Sequence, residues 1–373
     1  MKIVRSTKLS LKFLNKQKRE QVHLFIDEYR RVGQIICDQL WNIQQLPKFI
    51  DIKTLNVGET WLGNTSLQCV AKQISAIIKG TKKSGRALNK IPTKPNVQEI
   101  QPELDARFIT LINFDKNESS FDGWVSLRCL GNKLKIIFPL KKTKHFNKLS
   151  SKGILRNCVR LTKKDVHLMF DFEVERTTSQ NNVGIDIGIV NVVSLSSDQV
   201  ISKHPHKWTL SKILQKLSRQ KKGSKNFKQT QDLRENFIGW SINKINFDNI
   251  GSVSIENIKD LRHGKKCDRF RSHWTYTQIF NRLNMKAESL GVQVTKVDPR
   301  NTSRKCSKCG EIDKYSRKGK KFKCTKCGFE LDADLNASKN IKFLGRENTI
   351  PYVDENNLER LNCLCSLVNK HNF

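Results

Sequence analysis

Three features are missing from this sequence, and each absence excludes a class of protein. The segment from Met1 to Arg5 lacks the apolar core of a secretory signal peptide. No uninterrupted apolar run approaches the ~18 residues that a membrane-spanning helix needs. Seven of the eleven cysteines are scattered without the spacing of a disulfide framework: Cys37, Cys69, Cys129, Cys158, Cys267, Cys363 and Cys365. We therefore predict a reduced, cytoplasmic protein with no membrane role, associated with the nucleoid.

Acidic residues are also scarce. The sequence has 69 Lys and Arg against 35 Asp and Glu, a formal charge of +34. A surface so charged repels itself unless a polyanion neutralises it. Any single basic run is equally well explained as a solvated face, but the sum indicates a long or wrapped nucleic acid. The candidate contacts are Lys221, Lys222, Lys225, Arg269, Arg271 and Arg304.

The segment 299–340 carries the clearest motif. Cys306-Ser307-Lys308-Cys309 and Cys324-Thr325-Lys326-Cys327 are close thiol pairs, each followed by glycine and separated by a basic loop. Two such turns can supply four sulfurs to one tetrahedral zinc ion. The alternative is a set of redox or incidental cysteines, although a redox motif needs only one pair. We predict structural zinc held by these four cysteines.

The first half of the chain changes its hydrophobic period once. Residues 2–9 alternate as a strand, and apolar residues at helical spacing predict helices over about 15–41 and 66–79. The Gly-, Pro- and Lys-containing segment 80–100 has loop composition. From 121 to 175 the period is two, which indicates antiparallel β structure that strand 2–9 completes as a small barrel.

The second half alternates strands with helices. After a linker at 179–182, residues 183–195 form a strand, a turn at Gly188 and a second strand. A helix with Leu214, a basic connection holding Lys221 to Lys228, and further helix lead to a strand at 252–257. A helix ending at Gly291 and a strand at 292–297 complete the order expected of an α/β sheet. The polar tail after Gly345 is expected to be loosely ordered.

Two carboxylates stand alone at the ends of apolar strands. A buried carboxylate costs several kcal/mol unless it is paired or binds a cation, so Asp186 and Glu256 need an explanation. One explanation for each carboxylate is a salt bridge to Lys or Arg. The functional interpretation is that both converge with a C-terminal aspartate on two Mg²⁺ ions, which activate a water and stabilise the leaving 3′ oxygen during phosphodiester cleavage.

The third carboxylate is Asp332 or Asp334. Apolar residues at helical spacing begin a helix at Ala333, which makes Asp332 the natural N-cap. Asp334 then lies in the first turn, where the helix dipole favours an ionised carboxylate. Local chemistry therefore favours Asp334 as the ligand, while a structural role for both aspartates stays open.

An ordered set of motifs resembles one known family. Gly184-Ile185-Asp186-Ile187-Gly188, Ile255-Glu256-Asn257, Pro299 with Thr302-Ser303, both Cys-x-x-Cys-Gly turns and Asp334-x-Asn336-Ala337 follow the order found in TnpB, the RNA-guided nuclease of small insertion sequences. Compact type V CRISPR effectors are similar. The signature spans about 183–344. The resemblance implies a RuvC-like nuclease with catalytic, Mg²⁺-binding acids at Asp186, Glu256 and Asp334.

The resemblance also implies a multidomain α+β and α/β architecture. Its expected parts are a wedge-type β-barrel (1–10 and 120–178), a helical recognition lobe (11–119), a RuvC-like nuclease (183–300 and 330–345), a zinc ribbon (301–329) and a flexible tail (346–373). Such proteins bind a structured guide RNA and double-stranded target DNA, and they read a short DNA motif beside the target. Gln68 is the candidate for that contact, the alternative being an exposed Gln on an amphipathic helix.

The sequence thus predicts an RNA-guided DNA endonuclease with two Mg²⁺ ions and structural zinc. One alternative is a compact type V effector that carries a CRISPR RNA. A second is a repressor of the same fold that binds DNA without cutting, and a third is an unguided junction nuclease. A monomer is favoured, and two protein copies per RNA stay possible.

Overall fold

A computed structural model describes residues 1–87, 91–112, 120–258 and 268–347. The chain divides into two compact units whose boundary in the sequence falls between Glu173 and Val174. We call them the N-terminal unit and the C-terminal unit and describe each by itself. None of the helices in the described ranges combines the length and apolar character required to cross a membrane.

The N-terminal unit contains three helices and seven strands within the described residues. In chain order they are β1 Lys2–Ser10, α1 Lys16–Leu40, α2 Asn64–Ala87, β2 Glu103–Leu104, β3 Ile109–Ile112, β4 Gly123–Leu127, β5 Ile136–Leu140, α3 Lys144–Ser150, β6 Ile154–Leu161 and β7 Asp165–Glu173.

Helices α1 and α2 pack against each other, as their apolar spacing predicts. Asn15 caps α1 by accepting a hydrogen bond from the Lys18 backbone N–H, and the apolar face of α1 is buried. The Tyr29 hydroxyl donates to Gln73 Oε1 at 2.8 Å, which joins the two helices through their side chains.

The prediction of a loop over 80–100 is wrong for residues 80–87, because α2 continues to Ala87. Lysine is a good helix former, so the lysines there do not oppose a helix. Lys79 Nζ donates to the Pro47 carbonyl at 3.0 Å and Lys82 Nζ to the Ile43 carbonyl at 2.7 Å. These contacts bind the extended helix to the chain that follows α1. Residues 88–90 lie outside the described part.

The strands of this unit form two antiparallel sheets. One has the order β1-β7-β6-β2 and the other β3-β4-β5. Strand β1 pairs with β7 along its whole length, as expected for residues 2–9. Strands β2 and β3 lie within 11–119, the range expected to be helical, and pair with later strands. Among the described residues no strand pairing joins the two sheets into one closed barrel.

The C-terminal unit contains five helices and eight strands within the described residues. In chain order they are β8 Asn182–Asp186, β9 Val193–Leu195, β10 Val200–Ile201, α4 Leu210–Arg219, α5 Lys225–Asn243, β11 Ser252–Glu256, α6 Arg269–Ser272, α7 Tyr276–Glu288, β12 Gln293–Val297, β13 Arg317–Lys318, β14 Lys321–Lys323, β15 Glu330–Asp332 and α8 Ala333–Glu347.

A five-stranded sheet organises the C-terminal unit. Its order is β10-β9-β8-β11-β12, with β8, β11 and β12 mutually parallel. This is the α/β arrangement predicted from the alternation of strands and helices. The remaining strands β13, β14 and β15 form a separate small antiparallel sheet, which leads directly into α8.

Three boundaries in this unit differ from the expectation. Lys225 and Lys228 belong to α5 rather than to a basic connection, because Ser224 caps the helix by accepting from the Phe227 backbone N–H. Asn182 belongs to β8 rather than to the linker. A tail was expected after 345, but residues 346 and 347 belong to α8. The rest of that expectation falls on residues 348–373, which lie outside the described part.

Helix α8 lies in direct contact with the sheet because two glycines leave room for it. A Cβ at Gly184 in β8 would stand 2.1 Å from the Ser338 carbonyl oxygen and 2.3 Å from the Lys342 nitrogen, both backbone atoms of α8. A Cβ at Gly345 in α8 would meet Ser254 Oγ of β11 at 1.7 Å. Side chains at either position would push the helix off the sheet.

Candidate metal sites

Three acidic side chains reach one edge of the five-stranded sheet. Asp186 is the last residue of β8 and Glu256 the last residue of β11, and these strands are parallel neighbours with Ile185 opposite Ile255. Their carboxyl ends therefore lie side by side. Asp334 comes from α8, which packs across the same strands.

Asp332 and Asp334 have separate roles at the start of α8. Asp332 Oδ1 accepts hydrogen bonds from the backbone N–H groups of Asp334 at 2.9 Å and Leu335 at 3.2 Å. This is the N-cap geometry predicted for Asp332. The Asp334 side chain is left for other partners and is buried, with 4% of the residue exposed.

The pKa values of Asp186 and Glu256 are both raised. Burial raises the pKa of Asp186 to about 7, with further contributions from the charges of Glu256 and Asp334. Burial also raises the pKa of Glu256, although the Thr302 hydroxyl and Arg317 partly offset it. Because like charges in a buried site oppose ionisation, this edge favours a cation.

Two basic side chains from the hairpin of β13 and β14 meet Asp334. Lys320 Nζ pairs with Oδ2, and an Arg317 terminal nitrogen lies 3.2 Å from Oδ1. Asn191 Nδ2 also donates to Oδ2, at 3.1 Å. These partners were missed from the sequence, where Lys320 and Arg317 stood in the run 314–323, one basic run among several. Their nearness to Asp334 in the chain was the sole signal.

Glu256 has its own supporting contacts. The Thr302 hydroxyl donates to Glu256 Oε1, and the Tyr276 hydroxyl donates to the Glu256 carbonyl oxygen. One contact orients the carboxylate and the other holds the end of β11. Thr302 belongs to the motif quoted from the sequence, but its partner could not be read there. Tyr276 carried no signal beyond its place on the apolar face of α7.

The three carboxylates offer the oxygen ligands that Mg²⁺ prefers, although they do not form a closed cage of ligands. Mg²⁺ prefers oxygen ligands and keeps several waters, so it needs few protein ligands. Among the described residues, the group of three or more side chains placed to hold a metal ion consists of the four cysteines, whose sulfur atoms all lie within 4.8 Å of one another. Asp186, Glu256 and Asp334 do not form such a group, although the charges of Glu256 and Asp334 act on Asp186.

The four predicted zinc ligands do form a cage. Cys306 Sγ lies 3.8 Å from Cys327 Sγ, and Cys309 Sγ lies 3.6 Å from Cys324 Sγ. Zinc–sulfur bonds of about 2.3 Å in a tetrahedron put the sulfurs about 3.8 Å apart, whereas a disulfide needs about 2.05 Å. The spacing fits a zinc thiolate site.

Both cysteine turns have the backbone that such a site uses. The Gly310 N–H donates to the Cys306 carbonyl at 2.9 Å and the Gly328 N–H to the Cys324 carbonyl at 3.0 Å. Gly310 has φ +80° and Gly328 φ +71°, a left-handed conformation that glycine adopts without strain. Hydrogen bonding from the Cys327 backbone N–H lowers the pKa of the Cys324 thiol to about 7, which favours the thiolate.

Two asparagines of α8 bind the first cysteine turn to the helix. Asn336 Oδ1 accepts from the Ser307 backbone N–H at 3.0 Å, and its Nδ2 donates to the Lys305 carbonyl at 2.8 Å. Asn340 Nδ2 donates to the carbonyls of Thr302 at 2.8 Å and Lys305 at 2.7 Å. The zinc turn and Asp334 are thus held by one helix. Asn340 was not predicted from the sequence.

The predicted nucleic-acid contacts fall in several places. Lys221 and Lys222 lie in the exposed turn between α4 and α5, and Lys225 is exposed in the first turn of α5. Arg269 donates to the Gln220 carbonyl, which brings α6 beside that turn. The other two are exposed on the C-terminal unit: Arg271 and Arg304.

Gln68 lies in the N-terminal unit, in the second turn of α2, and is partly buried. Its Oε1 accepts a hydrogen bond from an Arg107 terminal nitrogen at 2.9 Å. Gln68 is thus half-buried and hydrogen-bonded within the unit, and its contact with DNA stays a prediction.

Residues 276–341 match the family model "Cas12f1-like, TNB domain". A segment of 106 residues, 28% of this chain, is 39% identical to 23% of the CRISPR-associated endodeoxyribonuclease Cas12f1 of Sulfoacidibacillus thermotolerans. A segment of 99 residues, 25% of this chain, is 38% identical to 32% of a TnpB-like protein of Aquifex aeolicus.

A solved structure also resembles the whole chain. The Cas12f1 chain from a complex with sgRNA and target DNA superimposes with a TM-score of 0.53 at 15% identity, covering 88% of this chain and 83% of that one. This likeness shows a shared mixed α/β fold. The chain spans about a quarter to a third of the two curated relatives' length. The sequence matches confirm the resemblance to TnpB and the compact type V proteins.

Proposed function

We propose that this chain is an RNA-guided DNA endonuclease of the RuvC type. It cleaves target DNA by Mg²⁺-dependent phosphodiester hydrolysis after a guide RNA has paired beside a short DNA motif. One observation carries the proposal: carboxylates from β8, β11 and α8, far apart in the chain, lie near one another at the carboxyl edge of one sheet, where Asp334 is buried and the charges of Glu256 and Asp334 help to raise the pKa of Asp186. Both sequence relatives bear names from this nuclease group, which supports it.

Each part of the chain has a role in this proposal. The five-stranded sheet with α8 is the nuclease, and the cysteine turns with their small sheet are a zinc ribbon that binds nucleic acid. The N-terminal unit combines a wedge-type β domain with a helical recognition lobe. The net charge of +34 supports contact with a guide RNA and with the duplex it forms on the target.

Asp186, Glu256 and Asp334 would hold the metal. Two Mg²⁺ ions supply activation of a water and stabilisation of the leaving 3′ oxygen. The chain's own residues prepare the ligands: the Thr302 hydroxyl orients Glu256, and Asn191 holds Asp334 Oδ2. Lys320 and Arg317 neutralise the buried Asp334 carboxylate while no metal is bound.

Cleavage by matched variants tests the assignment. The protein is co-expressed with RNA from its own genomic locus, and the complex is given plasmid DNA with Mg²⁺ or EDTA. Asp186→Ala and Asp334→Ala should each abolish cleavage and keep RNA and DNA binding. Asp248→Ala, which removes an exposed acid of the same unit, should cut like the wild type. Retained cutting by Asp186→Ala or Asp334→Ala would remove that residue from the catalytic set.

The same preparation separates the alternatives. Sequencing of the copurified RNA distinguishes a transposon-end RNA from a repeat-spacer RNA, and so a TnpB-type protein from a CRISPR effector. Guided DNA binding with no cleavage in Mg²⁺ would identify a repressor of this fold. Absence of any bound RNA would favour an unguided nuclease. The mass of the complex gives the number of protein copies on each RNA.

A further inference from the structure

Three side chains engage the carboxylate of Asp334. An Arg317 terminal nitrogen lies 3.2 Å from Oδ1, while Lys320 Nζ and Asn191 Nδ2 both donate to Oδ2. The Asp334 side chain is 6% exposed, so water contributes little to its neutralisation. The two cations therefore supply the charge that a buried carboxylate requires.

A metal ion on this carboxylate would compete with Lys320. Mg²⁺ binds an oxygen ligand at about 2.1 Å, so on either oxygen of Asp334 it would stand close to the ammonium. Two cations on one carboxylate repel each other strongly where water is largely excluded. The field of Lys320 also extends beyond its partner: burial raises the pKa of Asp186, and the charges of Arg317 and Lys320 act against that rise.

Lys320 is the cation that can leave. Its ammonium has no other hydrogen-bond partner among the described residues, and its side chain is 41% exposed. Arg317 is held more firmly, because its Nε also donates to the Gly319 carbonyl at 3.3 Å and its side chain is 32% exposed. A lysine ammonium is a compact charge on a flexible four-carbon stem, so it can exchange partners by rotation of its own bonds.

The backbone beneath Lys320 is fixed. Gly319 and Lys320 form the two-residue turn between β13 and β14. The Ala333 N–H donates to the Lys320 carbonyl at 2.8 Å, and the next residue, Lys321, pairs with β15 in the small sheet. Release of Lys320 from Asp334 therefore needs a side-chain movement alone, and the zinc turns stay in place.

The surface of the β13–β14 hairpin favours a phosphate as the new partner. Lys318 and Lys321 lie directly opposite each other at its end, and both are exposed. Like charges in such a pair repel each other unless an anion neutralises them. Lys320 lies in the turn that joins these two lysines. A nucleic-acid backbone supplies closely spaced anions, and the formal charge of +34 makes it the natural partner.

We infer that Lys320 is a latch on Asp334: it competes with Mg²⁺ for this carboxylate, and it is released when its ammonium binds a phosphate of nucleic acid at the β13–β14 hairpin. After the exchange each charge keeps a partner, because the metal neutralises Asp334 and the phosphate neutralises Lys320. By linkage, nucleic acid and metal each raise the affinity for the other by the same factor. The inference rests on the proposed function, which makes Asp334 a metal ligand.

Metal affinity tests the latch without any cleavage. The zinc-loaded complex of protein and guide RNA is titrated with Mn²⁺ in the absence of DNA, and bound Mn²⁺ is measured by electron paramagnetic resonance. Mn²⁺ takes the same oxygen ligands as Mg²⁺. The Asp334→Ala complex gives the Mn²⁺ bound elsewhere, including by the RNA, and this background is subtracted. The variants are Lys320→Gln, Lys320→Arg and the matched control Lys318→Gln, which removes the same charge from an exposed residue of the same hairpin.

Lys320→Gln should bind Mn²⁺ about fivefold more tightly than the wild type. Couplings between two ligands are commonly about 5- to 150-fold, and the partial exposure of Lys320 screens its charge, which puts the effect near the lower end. Lys320→Arg keeps a cation and should show no gain, and Lys318→Gln should bind Mn²⁺ as the wild type does. Zinc content and melting temperature show whether each variant is intact.

DNA binding in EDTA tests the phosphate as the new partner. Asp334→Ala removes the carboxylate and so releases Lys320 with no metal present. Adding Lys320→Gln to Asp334→Ala should then weaken DNA binding by about the same fivefold factor and lower the salt dependence by about one phosphate contact. In the protein that keeps Asp334, Lys320→Gln should change DNA affinity much less, because Asp334 already holds the lysine.

Three results would overturn the inference. The first is an Asp334-dependent Mn²⁺ affinity that Lys320→Gln leaves unchanged or weakens. The second is an equal gain with Lys318→Gln, which would be a general effect of charge. The third is an equal effect of Lys320→Gln on DNA binding with and without Asp334. The proposed function fails in a different way: if Asp334→Ala binds as much Mn²⁺ as the wild type, Asp334 is no metal ligand, whereas a failed latch leaves Asp334-dependent Mn²⁺ binding in place.

Discussion

Gly184→Ala should disable the proposed nuclease centre without changing any of its proposed ligands. In the structure, a Cβ at this position of β8 would stand 2.1 Å from the Ser338 carbonyl oxygen and 2.3 Å from the Lys342 nitrogen. These are backbone atoms of α8, so no side-chain rotation relieves the clash. The helix itself must move.

The size of the movement follows from the contact. An ordinary Cβ–oxygen distance is at least 3.4 Å, so α8 must retreat by roughly 1.3 Å at Ser338. Asp334 lies one turn earlier on the same helix and is carried with it. A misplacement of about 1 Å at a reacting group can cost about 100-fold in rate, and overpacking costs about 1–3 kcal/mol of stability.

The assay compares single-turnover cleavage, guide RNA binding and melting temperature of the complexes. Gly184→Ala should cut about 100-fold more slowly and still bind RNA. The control is Gly80→Ala in α2, where a Cβ meets nothing within 4 Å. There, alanine should leave cleavage unchanged and stabilise the helix by up to about 1 kcal/mol. Cleavage and melting of Gly184→Ala at the level of the Gly80→Ala control would refute the close packing of α8 on β8.

Three further outcomes are expected. Cys306→Ser should lose zinc by elemental analysis, because a structural site needs all four ligands, whereas Cys37→Ser should keep it; zinc-free wild-type protein would contradict the site. Asn336→Ala leaves the Ser307 backbone N–H of the first cysteine turn without its partner, while the Lys305 carbonyl keeps its bond from Asn340, a cost of about 1–3 kcal/mol, so zinc should pass to a chelator faster than in the wild type. An unchanged rate would argue against that link. Tyr276→Phe removes the hydroxyl that holds the Glu256 carbonyl and should slow cleavage up to about tenfold with RNA binding intact; wild-type cleavage would show that this bond is dispensable.

Much of the fold was predictable because local patterns agreed with it. The period of two in β1 and β7 and the apolar face of α1 lie where the sequence put them. The C-terminal extent of α2 was not predictable, because Gly80 and the lysines near it are compatible both with a loop and with an exposed helix. The helix cap at Asp332 was predictable, because capping depends on residues only two or three positions away in the chain.

The residues of the candidate site also divide into those that the sequence identified and those that it did not. Residue types and spacing singled out the four cysteines, Asp186 and Glu256, because a tetrahedral thiolate cage and a lone carboxylate in an apolar strand each demand a special environment. Asp334 was favoured over Asp332 by its place in the first turn of α8, and the family resemblance completed the set. Spacing could not reveal that Thr302 donates to Glu256 or that Lys320 pairs with Asp334. Nor could it reveal that Arg107 engages Gln68 Oε1.

By itself, then, the sequence singled out the groups expected to carry chemistry and indicated where most helices and strands form, since both depend on residue type and on neighbours a few positions away. The tertiary structure alone decided which groups meet. Asp186, Glu256 and Asp334 come together because β8 and β11 are parallel neighbours and because Gly184 and Gly345 let α8 lie directly on them. Such contacts depend on the packing of distant backbone segments, which no local pattern in the chain records.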